Sequence, residues 1–571
     1  MVTPVGNAAI RDRLQTALRA ALRARDKTAA SALRSTLAAI DNASTVPAGA
    51  PPGVASGPHF AGTTAGLGAG EAPRRGLAAG EAMRALRSVV RARSARLLAP
   101  AVPVAAGLVL VAGTAAGAAV GLTKVSHDIY TDAQARHRTE VEPDTFAFGT
   151  TIVSAFQVGR VPGGGASNIG WATSVNGGST WSHGYLPGVT GNGGGPFGQA
   201  SDATVAYDAK HKAWLIASLG IAGPVVDVLV NRSTNGGLTW GKPVTAATGS
   251  NDKDWIVCDN HAASAHYGNC YAEYDVTSAG DSVVMRTSTD GGATWGPARA
   301  PSGGATGLGG QPVVLPNGNV VVPYESFSGS TAIRSFASTD GGASWGPSAL
   351  VSGISHHVAA GNLRESPLPS AAVDAGGTVY VAWADCRFRT GCAGNDIVIS
   401  KSAGANTWAA PFRVPIDAAS SAADHFVPGL AVDPGSSGGS AHLGLTYYYY
   451  PDASCSVSTC RLDAGFISSV NGGASWSAPA RIAGPMSLSW LPDTTEGLMF
   501  GDYIATSILA GGNAYPVIPL AQAPSGGTFR QAMYAPAGGL PVTGGARPAS
   551  SAHAHPVTTP ASAPTAPPTA R

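Results

Sequence analysis

The octapeptide STDGGATW (288–295) decides the fold, because close copies of it return along the chain. The other intact copies are SVNGGSTW (174–181), STNGGLTW (233–240), STDGGASW (338–345) and SVNGGASW (469–476), and SAGANTW (402–408) is a degenerate copy. Successive copies start 50 to 67 residues apart. This period is the length of one four-stranded blade, so the sequence predicts an all-β main domain with a propeller architecture.

Each copy carries the residues of a tight turn. The Asp or Asn at the third position accepts backbone N–H groups inside the turn, and the two glycines after it permit a positive φ. The Ser or Thr hydroxyl is placed to cross-link the hairpin. The final Trp is a large apolar anchor that packs beneath the blade. The repeat therefore predicts structure rather than catalysis.

The octapeptide resembles the Asp box, or BNR repeat, of the sialidase superfamily, and the chain looks like an exo-α-sialidase-type protein. The resemblance implies a β-propeller whose boxes point away from the active face. The residues that hold the boxes are then Asn176, Trp181, Asn235, Trp240, Asp290, Trp295, Asp340, Trp345, Asn471 and Trp476.

Seven strand-like units follow one another over residues 137–537. Seven blades are therefore favoured, and six, the number in a sialidase proper, is the alternative. The seventh unit has no box. We expect an N-terminal strand to complete it, because this closes the ring and removes its free edges.

The starts of the innermost strands share one face of a propeller, which sorts the candidate site residues. The resemblance implies arginines for a substrate carboxylate, an acid for proton transfer and a Tyr nucleophile beside a Glu. The catalytic candidates are Asp202, Asp254, Glu365 and Tyr503, with Glu325 and a Tyr of 447–450 as alternatives. The substrate-binding candidates are Arg160, Arg364, Arg387, Asp424 and Asp502. The competing interpretation is that these acids line a water-filled channel and that Arg364–Glu365 is a surface pair.

The 571 residues carry a formal net charge of only +2, which argues against a whole-protein polyanion binder. The charge is unevenly divided, since residues 1–97 hold 14 basic and 5 acidic side chains. We expect no cofactor and no metal, with Ca²⁺ on the clustered acids as the weaker alternative. We expect no nucleic acid to bind the propeller.

An uncharged stretch, residues 97–123, is long enough to cross a membrane, and five arginines between 84 and 96 precede it. The sequence predicts a single-pass signal-anchor with a cytoplasmic N-terminus and an extracellular propeller. The alternative is a signal peptide read from Met83, which gives a secreted protein. The cysteines fall in three close pairs, Cys258/Cys270, Cys386/Cys392 and Cys455/Cys460, typical of disulfides in an oxidising compartment.

The remaining segments are predicted to be accessory. Residues 1–43 have helical periodicity and weakly resemble the opening helices of the GatB/YqeY family, so a helical hairpin is expected there. Residues 44–96 are predicted to be a flexible linker with a basic juxtamembrane end, and 124–136 a second linker. The Pro/Ala/Thr-rich residues 538–571 are predicted to be a disordered tail.

Two functions remain open at this point. The first is an extracytoplasmic glycoside hydrolase of the exo-α-sialidase type that acts on glycans with acidic sugars. The second is a non-catalytic surface propeller, monomeric like the first, that binds a glycan or a protein. They differ in whether the arginines converge on a Tyr/Glu pair.

Overall fold

The computed structural model describes residues 120–404 and 407–550 of the chain. The helical hairpin 1–43, the linker 44–96, residues 97–119 of the apolar stretch and the tail beyond residue 550 lie outside the described residues. Between residues 120 and 550 the helical elements are short 3-10 turns. They are Gly191–Gly193, Thr277–Ala279, Ala360–Asn362, Thr390–Cys392, Gly438–Ser440 and Leu488–Trp490. The all-β prediction is thus confirmed for this part of the chain.

The first strand, β1 (Leu122–Lys124), belongs to the last sheet of the chain. The strands that follow it form one large antiparallel sheet. The sheet contains β2 (Glu140–Phe148), β3 (Thr151–Arg160), β4 (Ala166–Ser174), β5 (Ser182–Tyr185), β6 (Gln199–Asp208), β7 (Ala213–Ala222), β8 (Val225–Ser233) and β9 (Val244–Ala247). A single residue pair, Ala166 with Ala200, joins its two four-stranded halves.

Three further sheets follow in the middle of the chain. The first is β10 (Asn251–Cys258), β11 (Cys270–Val276) and β12 (Ser282–Ser288). The second is β13 (Gly307–Leu308), β14 (Val313–Val314), β15 (Val320–Ser326), β16 (Ala332–Ser338) and β17 (Ala349–Gly353). The third is β18 (Ser370–Val373), β19 (Val379–Asp385), β20 (Asp396–Ser402) and β21 (Phe412–Arg413).

The C-terminal strands form two more sheets and two small ribbons. The strands are β22 (Asp424–Val432), β23 (Leu443–Tyr450), β24 (Arg461–Ser469), β25 (Ser475–Trp476), β26 (Ala480–Ser487), β27 (Asp493–Thr494), β28 (Gly497–Leu498), β29 (Ala505–Ile508), β30 (Ala514–Ser525), β31 (Thr528–Pro536) and β32 (Arg547–Pro548). The sheets run β22-β23-β24-β26 and β29-β30-β31-β1, and the ribbons are β25-β32 and β27-β28.

The innermost strands contact one another in succession around a closed ring. Contacts link β2 to β6, β6 to β10, β10 to β14, β14 to β18, β18 to β22, β22 to β29 and β29 back to β2. The last sheet takes its outer strand from the other end of the chain, since Leu122 pairs with Pro536 and Lys124 with Tyr534. An N-terminal strand therefore completes the last unit, as expected, and this pairing covers the outer edge of β31. The architecture is an all-β propeller.

The β structure extends beyond the boundaries expected from composition. Leu122 and Thr123, the end of the stretch assigned to the membrane span, belong to β1, and Val125 and Ser126 of the expected linker 124–136 are buried. The prediction of a disordered tail from residue 538 is wrong for residues 540–550. Leu540 bridges to Ala514, and β32 pairs with β25. Composition misled here because these segments gain their backbone hydrogen bonds from distant strands. Among the described residues, no helix has the length and apolarity to cross a membrane.

The boxes form the turns that the sequence predicts. In the box at 288–295, Asp290 Oδ1 accepts hydrogen bonds from Ser288 Oγ at 2.9 Å and from the Thr294 backbone N–H at 2.9 Å. Gly291 and Gly292 have φ values of 72° and 76°. A Cβ on Gly292 would lie 2.9 Å from Leu215 of the preceding sheet, so the second glycine also allows close packing between neighbouring sheets.

We expect Asp340→Ala to lower the free energy of unfolding by about 1–2 kcal/mol. The substitution removes the acceptor for Ser338 Oγ at 2.8 Å and for the Ser344 backbone N–H at 2.9 Å. Chemical denaturation of the two proteins measures the difference. Asp340→Asn is the matched control, because Asn fills the same position in other boxes, and it should retain most of the stability. Equal losses in both variants would contradict the capping role.

The three predicted disulfides are present. Cys258–Cys270 joins directly opposed residues of β10 and β11, while Cys386–Cys392 and Cys455–Cys460 close short loops. Within the described residues, which include all six cysteines, none is free.

Candidate functional site

The candidate site begins with a bulge that recurs near the start of four innermost strands. Glu142 in β2, Asp202 in β6, Lys253 in β10 and Val427 in β22 have positive φ values of 54°, 46°, 43° and 48°. At each position the pairing with the next strand skips residues. A left-handed backbone is strained for a side chain of this size, and bulges of this kind redirect a side chain. Three of the four redirected side chains are charged.

These three side chains meet in a buried group that we call the central charge cluster: Lys253, Glu142, Asp202, Asp502 and Arg364. Lys253 Nζ lies 3.0 Å from Asp502 Oδ2, 3.3 Å from Asp202 Oδ1 and 3.5 Å from Glu142 Oε1. The Lys253 side chain is only 3% exposed. The Asp502 backbone N–H also donates to Glu142 Oε1 at 3.1 Å. One ammonium group thus links carboxylates from β2, from β6 and from the segment between β28 and β29.

Arg364 supplies the second cation of the cluster. Its Nε and Nη2 donate to the two carboxylate oxygens of Asp502 at 2.7 and 2.5 Å, which is a bidentate fork. Its Nη1 lies 2.9 Å from Glu496 Oε2. Glu496 belongs to the turn between β27 and β28, and its side chain is 22% exposed. The cluster therefore reaches solvent at the Glu496 end.

Burial and mutual charge shift the pKa values inside the cluster. Burial raises the pKa of Glu142 to about 7 against the opposing effect of Lys253. Burial alone would lower the pKa of Lys253, but the carboxylates of Asp202, Asp502 and Glu142 raise it well above its usual value. Lys253 is thus held as a cation, while Glu142 titrates near neutral pH.

Arg160 lies beside the cluster and is incompletely paired. Its Nη1 donates to Gln157 Oε1 at 3.0 Å and to the Gly165 carbonyl at 2.8 Å. Its Nε and Nη2 are buried and have no hydrogen-bond partner among the described residues. Burial, and then the nearby charge of Arg364, lower the pKa of Arg160. The side chain of Gln157 also donates to Glu142, so Arg160 is connected to the cluster through one residue.

Asp254 and Tyr503 lie beside the cluster, and Lys253 Nζ is 5.2 Å from the centre of the Tyr503 ring. Both carboxylate oxygens of Asp254 are buried, with no hydrogen-bond partner in the described part of the chain. Burial, followed by the charge of Asp202, raises the pKa of Asp254 well above its usual value. The Tyr503 hydroxyl donates to the Ala203 carbonyl at 3.4 Å, and its ring packs edge-on against Trp255 at 5.2 Å. Burial and then Glu142 raise the pKa of Tyr503 well above 10, which disfavours a phenolate nucleophile.

A small cavity borders these residues. It has a volume of about 10 Å³, room for about one water molecule, and Trp255, Gln311, Asp502 and Tyr503 contribute to its walls. In this conformation that cavity is too small for a sugar.

A second group, the histidine–carboxylate cluster, contains Glu365 and Asp424. His356 Nε2 lies 3.0 Å from Glu365 Oε2, and His357 Nε2 lies 3.8 Å from Asp424 Oδ2. Burial raises the pKa of Asp424 to about 7 and that of the neighbouring Glu325 to about 7. Arg364 and Glu365 are 3% and 4% exposed and belong to different clusters, so the surface-pair interpretation is wrong.

Arg387 does not join the other two arginines of the expected clamp. It forms a fork with Asp385, and its guanidinium lies 5.9 Å from the ring centre of Trp383. The structure thus brings Asp202, Asp502, Arg364 and, at the edge, Arg160 to one place, but it engages Arg387 elsewhere.

One group of described residues has the spacing of a metal site: Asp396, Asp417 and His425. Arg389 Nη2 lies 2.6 Å from Asp396 Oδ1 and 3.1 Å from Asp417 Oδ1, and Arg413 contacts the same two carboxylates. Two guanidinium groups already neutralise these acids, so the group fits an ion-pair network better than a cation site.

Sequence reasoning missed Lys253, Glu496 and Gln157. It selected Asp254 from its place at the start of an innermost strand, whereas the bulge at Lys253 directs the neighbouring lysine into the cluster. The signal that was available is the alignment of Glu142, Asp202 and Lys253 at the same place in successive innermost strands. Nothing in the sequence marks Glu496, because its ribbon is only two residues long on each side.

Comparisons with known proteins agree with the propeller. Residues 223–428 match the family model of the BNR repeat-like domain. None of the curated proteins matches the chain.

Three solved structures are among those that are similar to this chain. A protein of unknown function from Dyadobacter fermentans is 17% identical with a TM-score of 0.39, over 62% of this chain and 100% of that one. The NanB sialidase from Streptococcus pneumoniae is 12% identical with a TM-score of 0.38, over 72% and 70%. The microbial sialidase Hz136, from a Hadza source, is 13% identical with a TM-score of 0.38, over 70% of this chain and 65% of that one. The family model of the BNR repeat-like domain covers three of the intact boxes, and for residues 223–428 it agrees with the repeat that the boxes predict.

Proposed function

We propose that the protein is an extracytoplasmic glycoside hydrolase of the exo-α-sialidase type, acting on glycans that carry acidic sugars. The observation that supports it is the central charge cluster, where cationic side chains lie beside carboxyl groups that retain protons near neutral pH. Perturbed acids next to arginines are typical of catalytic sites.

The proposed roles follow from the surroundings of each residue. Arg364, with Arg160 beside it, provides the positive charge for a sugar carboxylate. Asp254, whose pKa burial raises well above its usual value, or Glu142, with a pKa of about 7, donates the proton to the leaving oxygen. Tyr503 packs and positions rather than attacks, because its surroundings oppose ionisation.

The proposal extends to the architecture and the location of the protein. We propose seven blades, counting the two halves of the β2–β9 sheet separately, because a single residue pair joins them and the innermost strands contact one another in a closed ring. The three disulfides support an oxidising compartment. Attachment of a monomer to the membrane through residues 97–123, with the N-terminus cytoplasmic, remains part of the proposal.

A test of catalysis uses the full-length chain with fluorogenic sialosides and uronides. We expect turnover, and we expect Asp254→Asn to lower kcat by roughly 10²- to 10⁴-fold, the usual contribution of general acid catalysis. Tyr503→Phe is the contrasting variant, and it should lower kcat by less than about tenfold. A larger loss in Tyr503→Phe than in Asp254→Asn would reverse the assignment of roles.

The second candidate function is a non-catalytic propeller that binds glycan. One observation favours it: Arg364 and Arg387 are already paired with carboxylates of the protein. Glycan-array binding by a chain that turns over none of the substrates would establish this alternative.

A further inference from the structure

The turn between β27 and β28 places Glu496 against Arg364. Arg364 contacts two carboxylates, and the two contacts differ in hydrogen-bond geometry. Asp502 takes Nε and Nη2 in a fork, with both hydrogen bonds well aligned. Glu496 Oε2 lies 2.9 Å from Nη1, yet no hydrogen bond of acceptable geometry reaches this oxygen within the described residues. Asp502 is therefore the structural partner, and Glu496 is held by charge alone.

Three cationic groups act on the Glu496 carboxylate. Burial, the largest effect, and the charge of Asp502 raise the pKa of Glu496, whereas the charges of Arg364, Arg160 and Lys253 oppose the rise. The Thr495 backbone N–H donates to the Pro162 carbonyl at 3.0 Å, which places the turn beside the Arg160 segment. Arg160 is 1% exposed, and its Nε and Nη2 are not paired with any described residue. Two buried donors without a partner, in a segment hydrogen-bonded to the Glu496 turn, are groups that an anionic ligand would satisfy.

We propose that Glu496 is an internal occupant of an anion-binding site formed by Arg364 and Arg160, and that the carboxylate of an acidic sugar displaces it. This inference rests on the proposed function for the class of ligand. It adds that, when no ligand is bound, the protein's own Glu496 occupies the anion site, which we call the self-occupied site.

Displacement requires movement of a side chain rather than of the ribbon. The base of the ribbon is fixed, because the Arg364 backbone N–H donates to the Leu498 carbonyl at 2.9 Å. A Cβ on Gly497 would lie 2.7 Å from the Asn362 carbonyl, which shows how closely the ribbon packs there. The Glu496 side chain, by contrast, is 22% exposed and can rotate into solvent. An incoming carboxylate would then meet the Nη1 edge of Arg364 and the free donors of Arg160.

Calorimetric titration of the full-length protein at low salt tests the inference with defined probes. The probes are N-acetylneuraminate and glucuronate, with glucose as the neutral counterpart. We expect Glu496→Gln, which keeps size and removes charge, to bind at least one acid about tenfold more tightly than the native protein does. Asp493→Asn is the matched control on the same ribbon, because Asp493 pairs with the exposed Arg136 at 2.7 Å. It should bind within about twofold of the native protein.

A second variant keeps the outcome interpretable. Arg160→Met combined with Glu496→Gln should lose the gain in affinity, with the thermal unfolding temperature showing that the protein is folded. The inference is overturned if Glu496→Gln binds both acids no more tightly than the native protein, or if glucose binding improves equally. Tighter acid binding without turnover would support the self-occupied site while removing the hydrolase proposal. Turnover with unchanged acid binding in Glu496→Gln would support the hydrolase proposal and overturn the self-occupied site.

Discussion

Lys253→Met lowers the free energy of unfolding by about 3–5 kcal/mol at pH 7.5, the range expected when one partner of a buried ion-pair network is removed. Lys253 Nζ contacts Glu142, Asp202 and Asp502, and the Lys253 side chain is 3% exposed. Without the ammonium group, these carboxylates face one another in a site that admits little water. Met has a side chain of similar length and is unbranched like Lys, so the substitution adds no new steric demand at the positive φ of 43°.

Urea denaturation followed by tryptophan fluorescence measures this loss. Lys210→Met is the matched control, since Lys210 is exposed and belongs to the turn after β6. Its effect should stay within about 0.5 kcal/mol. A Lys253→Met protein as stable as the control would show that the cluster is not an ion-pair network.

A double-variant comparison separates charge from packing. Asp202→Asn removes one of the carboxylates that Lys253 balances, and one Asp202 oxygen has no hydrogen-bond partner among the described residues. Because the two residues interact directly, the Lys253→Met/Asp202→Asn protein should be more stable than the sum of the single losses predicts. If the losses of unfolding free energy in the two single variants simply add in the double variant, the loss in Lys253→Met comes from packing rather than from charge. If the single variant does not fold at pH 7.5, the same comparison at pH 5.5 answers the question, because Glu142, whose pKa burial raises to about 7, is then protonated and needs no cationic partner.

The propeller is predictable from sequence because the contacts that form each box join residues close together in the chain. Each box contains its own donors, acceptors and glycines, as the contacts of Asp290 within 288–295 show. The three disulfides are equally local, with sequence separations of 5, 6 and 12 between their cysteines. The closing strand was predictable as a requirement of the ring, but its position at Leu122–Lys124 was not, since its partner lies about 410 residues away.

The candidate site is less predictable because it depends on distant pairs. Lys253 and Asp502 are 249 residues apart, and Arg364 and Asp502 are 138 apart. The type of residue was foreseeable, since acids and arginines were expected at the strand starts. Which acid pairs with which cation was not foreseeable. The bulge that brings Lys253 rather than Asp254 into the cluster is a feature of the backbone conformation. No residue type in β10 marks its position.

Stability should fall as pH rises from 5.5 to 8, opposite to the behaviour of a protein held by ordinary surface carboxylates. Burial raises the pKa of five described acids to about 7 or 8: Glu140, Glu142, Asp144, Glu325 and Asp424. In the unfolded chain such groups titrate near pH 4. The folded state therefore binds more protons throughout this window. Its stabilisation by these protons is complete below about pH 4 and is lost as pH rises through 7 to 8.

Each such group lowers the free energy of unfolding by up to about 1.4 kcal/mol per pH unit in this window. His356, whose pKa is raised by Glu365 against the effect of burial, acts in the same direction. His183 and His425 act in the opposite direction, because burial lowers their pKa values. The carboxyl groups outnumber the opposing histidines. We therefore expect the thermal unfolding temperature to be at least about 5 °C higher at pH 5.5 than at pH 8.

The variant Glu140→Gln tests the contribution of one carboxyl group to this pH dependence of stability. Glu140 is fully buried, its Oε2 accepts a hydrogen bond from the Met533 backbone N–H at 3.0 Å, and burial raises its pKa to about 8. Gln mimics the protonated acid, so the variant should be more stable than the native protein at pH 8 and show a shallower slope. Asp290→Asn is the control. Hydrogen bonds from Thr294 outweigh partial burial and lower the pKa of Asp290, so its contribution changes only below about pH 4. A Glu140→Gln protein with the native slope would show that this carboxyl group is ionised in the folded protein, and that a cation or solvent reaches it.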